Sequence, residues 1–123
     1  MILAAIDIGS NAARLLITEV IVEANNKPLF NKLNLFRVPL RLGFDVFETG
    51  VISKQKTGML LQTMKAFKHL MNAYEVNHFK ACATSAMRDA KNATDIIRKV
   101  KLETDISIEV ITGDVEAGLI FEN

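Results

Sequence analysis

The residues best suited to chemistry stand near the amino terminus, in Asp7-Ile8-Gly9-Ser10-Asn11. They lie between two apolar runs, Ile2-Leu3-Ala4-Ala5-Ile6 and Leu15 to Val22, so the spacing predicts two strands joined by a tight polar turn. In such a turn Gly9 lets the backbone approach a ligand closely. Ser10 and Asn11 add side-chain donors to the backbone N–H groups, a combination able to cradle phosphate. Asp7, at the end of the first strand, offers oxygen ligands to a hard cation such as Mg²⁺. The same residues also make an ordinary polar hairpin turn capped by an aspartate.

Other segments carry further candidates. Arg41 follows the third apolar run, where an arginine can clamp a phosphate bidentately or join a surface ion pair. The polar stretch from Thr84 to Asn92 falls at the carboxyl end of a predicted strand, where open α/β sheets place ligands. Within it Arg88 can meet an anion or pair with Asp89. Glu116 falls in the first turn of a predicted helix, where a carboxylate is favourable by about 0.3–1 kcal/mol whatever its chemistry. The single cysteine, Cys82, excludes an internal disulfide, fits a reducing compartment and reads as a small buried core residue. His78 has no second ligand at metal spacing, and His69 falls on a helix with no assigned role.

The elements that must position these residues follow from periodicity. Strands are expected over Ile2–Ile8 and Ala13–Glu23, then, after the turn Asn25-Asn26-Lys27-Pro28, over an edge-like Leu29–Leu40. Arg41 to Gly50 reads as a loop, because two glycines and several polar residues break any period. Ser53 is the expected N-cap of a helix whose apolar face is Leu60, Met64, Phe67, Leu70, Met71 and Tyr74. A short strand, Phe79–Thr84, precedes a second helix capped by Asn92, with Ala93, Ile96, Ile97 and Val100 inward. A strand over Ile106–Ile111 and a third helix from Thr112-Gly113-Asp114 complete the order β-β-β-α-β-α-β-α. This is an α/β chain: a mixed sheet, antiparallel at its start, with helices on its faces. No closing signal precedes Asn123, so residues 1–123 are expected to be one lobe of a larger protein, its third helix cut short.

Composition narrows the class. Hydrophobic residues make up 50% and charged residues 24%, which is a globular balance. A net charge of +1 does not call for nucleic acid or an anionic membrane, so an anionic substrate must be met by local groups. No apolar run nears the roughly 20 residues of a membrane span. Ile2–Ile8 is too short for a signal peptide and lacks a basic flank. A cytoplasmic protein with neither a nucleic-acid nor a membrane partner is the expectation.

Three separated motifs then agree. Asp7-Ile8-Gly9-Ser10-Asn11-Ala12-Ala13-Arg14-Leu15-Leu16-Ile17, Thr84-Ser85-Ala86-Met87-Arg88-Asp89-Ala90-Lys91-Asn92 and Ile111-Thr112-Gly113-Asp114-Val115-Glu116-Ala117 resemble the amino-terminal domain of the exopolyphosphatase / guanosine pentaphosphate phosphohydrolase family. Arg41-Leu42-Gly43 with Thr49-Gly50-Val51-Ile52-Ser53 resembles the loop before that family's first long helix. The resemblance implies a ribonuclease H-like lobe of the actin-like ATPase superfamily, one of two facing each other across a cleft. It implies phosphate held by Gly9, Ser10 and Asn11, with Ser85 also phosphate-binding, and a channel lined by Arg41 and Arg88. It further implies Asp7 near a Mg²⁺ site and Glu116 as the catalytic group activating water. The substrate implied is inorganic polyphosphate or guanosine pentaphosphate, and a homodimer is expected of the full-length form. Ala12, Ala13 and Val115 depart from the family's usual residues. The family's second phosphate loop lies further along than these residues reach. A lobe that binds nucleotide or polyphosphate without turnover is the alternative.

Overall fold

Alternation of side chains along the central strands builds one packed face and one open face on a five-stranded sheet. The computed structural model describes residues 1–111; the third predicted helix and Glu116 lie outside them. The elements are β1 (Ile2–Ile8), β2 (Ala12–Val22), β3 (Pro28–Pro39), α1 (Leu42–Thr49), α2 (Lys54–Ala73), β4 (His78–Ala83), α3 (Ser85–Asp89), α4 (Ala93–Thr104) and β5 (Ile108–Val110). The strand order is β3-β2-β1-β4-β5. β1 to β3 form the expected antiparallel meander, and β4 and β5 add in parallel.

Register explains the two faces. Ile6 lies opposite Leu15 and Ala81, and Ile8 opposite Ala13 and Ala83, so these residues share a face. All are buried, in one cluster with Leu60, Met64 and Phe67 of α2 and Ile96 and Val100 of α4. Burying such side chains contributes roughly 1.5–3 kcal/mol each for the larger ones. The intervening residues Leu3, Ala5, Asp7, Leu16 and Cys82 are only half-buried. Among the described residues, therefore, the long helices cover one face of the sheet. Cys82 belongs to the other face and is not the core residue expected of it.

The helix α2 starts as its sequence predicts: the Ser53 hydroxyl accepts from the Lys56 N–H at 3.2 Å. Two segments differ from expectation. Leu42–Thr49, read as a loop, is the helix α1, entered through Arg41 at φ 55° and closed by Gly50 at φ 80°. The polar stretch after β4 contains the five-residue helix α3. These two short helices lie against each other at the rim of the sheet. No helix among the described residues is long and apolar enough to cross a membrane.

Candidate functional site

The carboxyl ends of three strands converge at one rim. Ile8 at the end of β1 pairs with Ala83 at the end of β4, and Ala83 pairs with Val110 of β5. The segments that leave these strands therefore start side by side. Their closest polar meeting is between the hydroxyls of Ser10 and Ser85, 2.6 Å apart across 75 residues of chain. Ser10, Gly43, Phe47, Ser85 and Asp89 line a shallow cavity of about 220 Å³ there.

The turn itself is held by its carbonyls. Gly9 N–H donates to the Ala12 carbonyl at 3.0 Å and closes the hairpin. The Ser10 carbonyl accepts from Gly43 N–H at 2.9 Å, and the Asn11 carbonyl accepts from both Leu40 and Arg41 N–H, at 3.1 and 2.9 Å. Neither Ser10 N–H nor Asn11 N–H has an acceptor among the described residues. Donors left in this state are what an anion needs. Gly9 differs from its neighbours, since its N–H is already committed. A Cβ at position 9 would meet only the Ala12 carbonyl, at 3.5 Å, so the protein's own packing does not require glycine there.

Asp7 lies on the open face, one residue before the end of β1. Its carboxylate accepts from Arg14 across the strand pair at 3.1 Å. Among the described residues no three His, Cys, Asp or Glu side chains gather to hold a metal. Cys82 neighbours Asp7 in register. Burial pushes its thiol pKa up, and the Glu109 and Asp7 carboxylates push it further, against a small opposite pull from Lys80. A thiol held protonated in this way is a poor nucleophile.

The two candidate arginines are placed differently. Arg41 is exposed where β3 gives way to α1, and among the described residues no carboxylate pairs with its guanidinium. Its carbonyl accepts from Lys56 Nζ at 2.8 Å, and the same ammonium meets Asp45 at 2.9 Å. Asp45 also accepts from Ser53 N–H at 2.9 Å; that bond, with Lys56, holds its carboxyl below the usual range. Arg88 does not pair with Asp89. Its Nη1 donates to the Ile111 carbonyl at 2.9 Å, tying the segment after β4 to the end of β5. The structure thus brings Gly9, Ser10, Asn11, Ser85 and Arg88 to one rim. Glu116, five residues beyond Ile111, lies outside the described residues.

Two residues gain structural roles that periodicity did not assign. Asn92 makes no side-chain cap on α4. Its amide instead bonds both backbone groups of Ile52, accepting from the N–H at 3.1 Å and donating to the carbonyl at 2.9 Å. Gly43 sits inside a helix and against Ser10, and a Cβ there would fall 2.8 Å from Ser10 Cβ. A glycine between two large apolar residues, Leu42 and Phe44, was the available signal.

Comparison with known proteins shows the family and the fold. A profile of the Ppx/GppA phosphatase family matches residues 20–123. The chain is 34% identical over 123 residues to the bifunctional 3-dehydroquinate synthase/phosphatase of Fusobacterium nucleatum, covering 97% of this chain and 18% of that protein. It is 29% identical over 121 residues to exopolyphosphatase 1 of Mycobacterium tuberculosis, covering 98% and 34% respectively. Its fold matches the crystal structure of an exopolyphosphatase from Cytophaga hutchinsonii with a TM-score of 0.86 at 33% identity, over 98% of this chain and 37% of that one. The chain spans well under half the length of each. The mixed sheet with its helices is the actin-like ATPase fold of these phosphatases. With a match over most of its length, the chain belongs to the Ppx/GppA phosphatase family.

Proposed function

We infer that the intact protein containing this chain hydrolyses terminal phosphates from inorganic polyphosphate, with guanosine pentaphosphate as a second substrate of the same chemistry. The observation that carries this reading is the 2.6 Å contact between Ser10 and Ser85, which joins two motifs of the family at one rim. Phosphoryl transfer asks little covalent chemistry of a protein. It asks for alignment, charge neutralisation and an oriented water. The Ser10 and Asn11 N–H groups and the two serine hydroxyls align the phosphate. Gly9 leaves the space above the turn to it. Arg41 and Arg88 neutralise charge as it shifts to the leaving oxygen. Glu116 takes the proton from the attacking water, a step worth about 10²–10⁴-fold.

Asp7 suits Mg²⁺. It supplies one carboxylate at the rim, and Mg²⁺ at phosphate sites commonly takes one or two carboxylates with water and substrate oxygens. Bound there, the ion would supply electrostatic stabilisation of phosphate oxygens.

The test is Glu116→Gln in the intact protein, with phosphate release followed for both substrates, with and without Mg²⁺. Turnover is expected to fall by about 10²–10⁴-fold. Turnover near wild type removes Glu116 from the reaction. Residues 1–123 alone are expected to release phosphate at most slowly, because they span only about a third of the related exopolyphosphatases.

A further inference from the structure

Gly43 is the second residue of α1, a position where alanine is the better helix former. Its presence therefore needs a reason from outside the helix. The reason is on the other side of the contact: a Cβ at position 43 would lie 2.8 Å from Ser10 Cβ and 3.4 Å from both Ser10 oxygens. Ser10 cannot easily retreat. Its carbonyl is held by Gly43 N–H at 2.9 Å, the next carbonyl by Leu40 and Arg41, and its hydroxyl by Ser85 at 2.6 Å. Nor can α1 easily retreat, because Leu42 is fully buried and the helix is tied at its far end. Lys91 N–H donates to the Gly50 carbonyl at 2.9 Å, and Asp45 is bound to Ser53 and Lys56.

We propose that Gly43 is a positioning residue for phosphate binding: its missing Cβ sets how closely α1 seats against Ser10, and so where Ser10 meets Ser85. The proposal rests on the reading that Ser10 holds phosphate. A methyl group at position 43 displaces the turn by a few tenths of an ångström to an ångström, and misplacement of that order costs up to about 10²-fold in rate.

The test is a mutant cycle in the intact protein. Gly43→Ala is made in three backgrounds: wild type, Ser10→Ala, which keeps the Cβ, and Ser10→Gly, which removes it. The readouts are KM and kcat for phosphate release from polyphosphate, and the melting temperature without ligand. Gly43→Ala is expected to lower kcat/KM by about 10–100-fold in wild type, with kcat falling as well as KM rising. The melting temperature is expected to drop wherever position 10 has a Cβ, and the drop to vanish with glycine there. An equal drop in all three backgrounds, or none in any, overturns the proposal. Should Gly43→Ala not fold, rescue by Ser10→Gly and not by Ser10→Ala is the supporting result, and rescue by neither is the overturning one. If Ser10→Ala and Ser10→Gly both turn over like wild type, the phosphate reading has failed and takes Gly43's part in the reaction with it. The ligand-free melting pattern then judges the steric pairing on its own.

Discussion

Among the described residues the sheet has two hairpin turns, both rich in small polar residues. One joins β1 to β2 through Gly9, Ser10 and Asn11; the other joins β2 to β3 through Asn25, Asn26 and Lys27. The second turn bonds only to itself. Asn26 N–H donates to the Glu23 carbonyl at 2.9 Å, Lys27 N–H to the Asn25 side chain at 3.1 Å, and Asn26 takes φ 62°. Every residue from 21 to 33 is exposed. In the first turn the carbonyls are taken by Leu40, Arg41 and Gly43, thirty residues downstream. That is the difference between a connector and a candidate site. Remote N–H donors that occupy a turn's carbonyls fix its shape, and here the N–H groups of Ser10 and Asn11 have no acceptor among the described residues.

The two turns should differ most in what lies beneath them. Leu42→Ala, beneath the first turn, is expected to cost about 2–5 kcal/mol in denaturant unfolding, as large-to-small changes in a closed core do. Leu29→Ala, on the exposed hairpin, should stay within about 0.5 kcal/mol. Similar losses at both sites would show that the two hairpins are embedded alike. Next in size is Asn92→Ala, which strips the partners from both backbone groups of Ile52 and should cost about 1–3 kcal/mol. An unchanged unfolding midpoint there would mean that water replaces the amide at no loss.

A smaller effect is expected at Asp45, and it should depend on pH. The native carboxyl is held below its ordinary range by Ser53 N–H and Lys56. A group with a lowered native pKa contributes stability above its unfolded pKa, and loses it as pH falls through the native value. Asp45→Asn should therefore be less stable than wild type at neutral pH, with the gap closing in acid. A gap independent of pH would assign the loss to packing and not to charge. Smallest of all is Asn26→Gly: glycine accepts the positive φ as asparagine does, so unfolding should shift by no more than about 0.5 kcal/mol.

Much of the fold was legible in the sequence. The five strands lie where apolar runs predicted them, and the face of α2 is buried at Leu60, Met64, Phe67 and Met71. The missed parts were all settled by tertiary contact. α1 has only eight residues, with Phe44 and Phe47 exposed, so it shows no inward stripe. Its glycine, a helix breaker by propensity, is there because Ser10 leaves no room for more. α3 is too short to show a period. Asn92 looked like a cap because asparagine favours that position, yet its amide serves Ile52, forty residues away in the chain. Of the candidate site, the meeting of Ser10, Ser85 and Arg88 at one rim follows from parallel pairing of β1, β4 and β5, which a reader of motifs can infer from element order alone.

One bond made at the sheet's margin reaches further than its size. A guanidinium has five N–H donors in a planar fork, and Arg88 spends one on the carbonyl of Ile111. That bond restrains the side chain, so on the proposed reading less of its freedom is surrendered when phosphate binds. A lysine at that position has one ammonium on a loose tether and no such fork, so it can neither brace the strand end nor present a preset plane. The same cation thus braces the strand end and, on the proposed reading, meets phosphate with the rest of its fork.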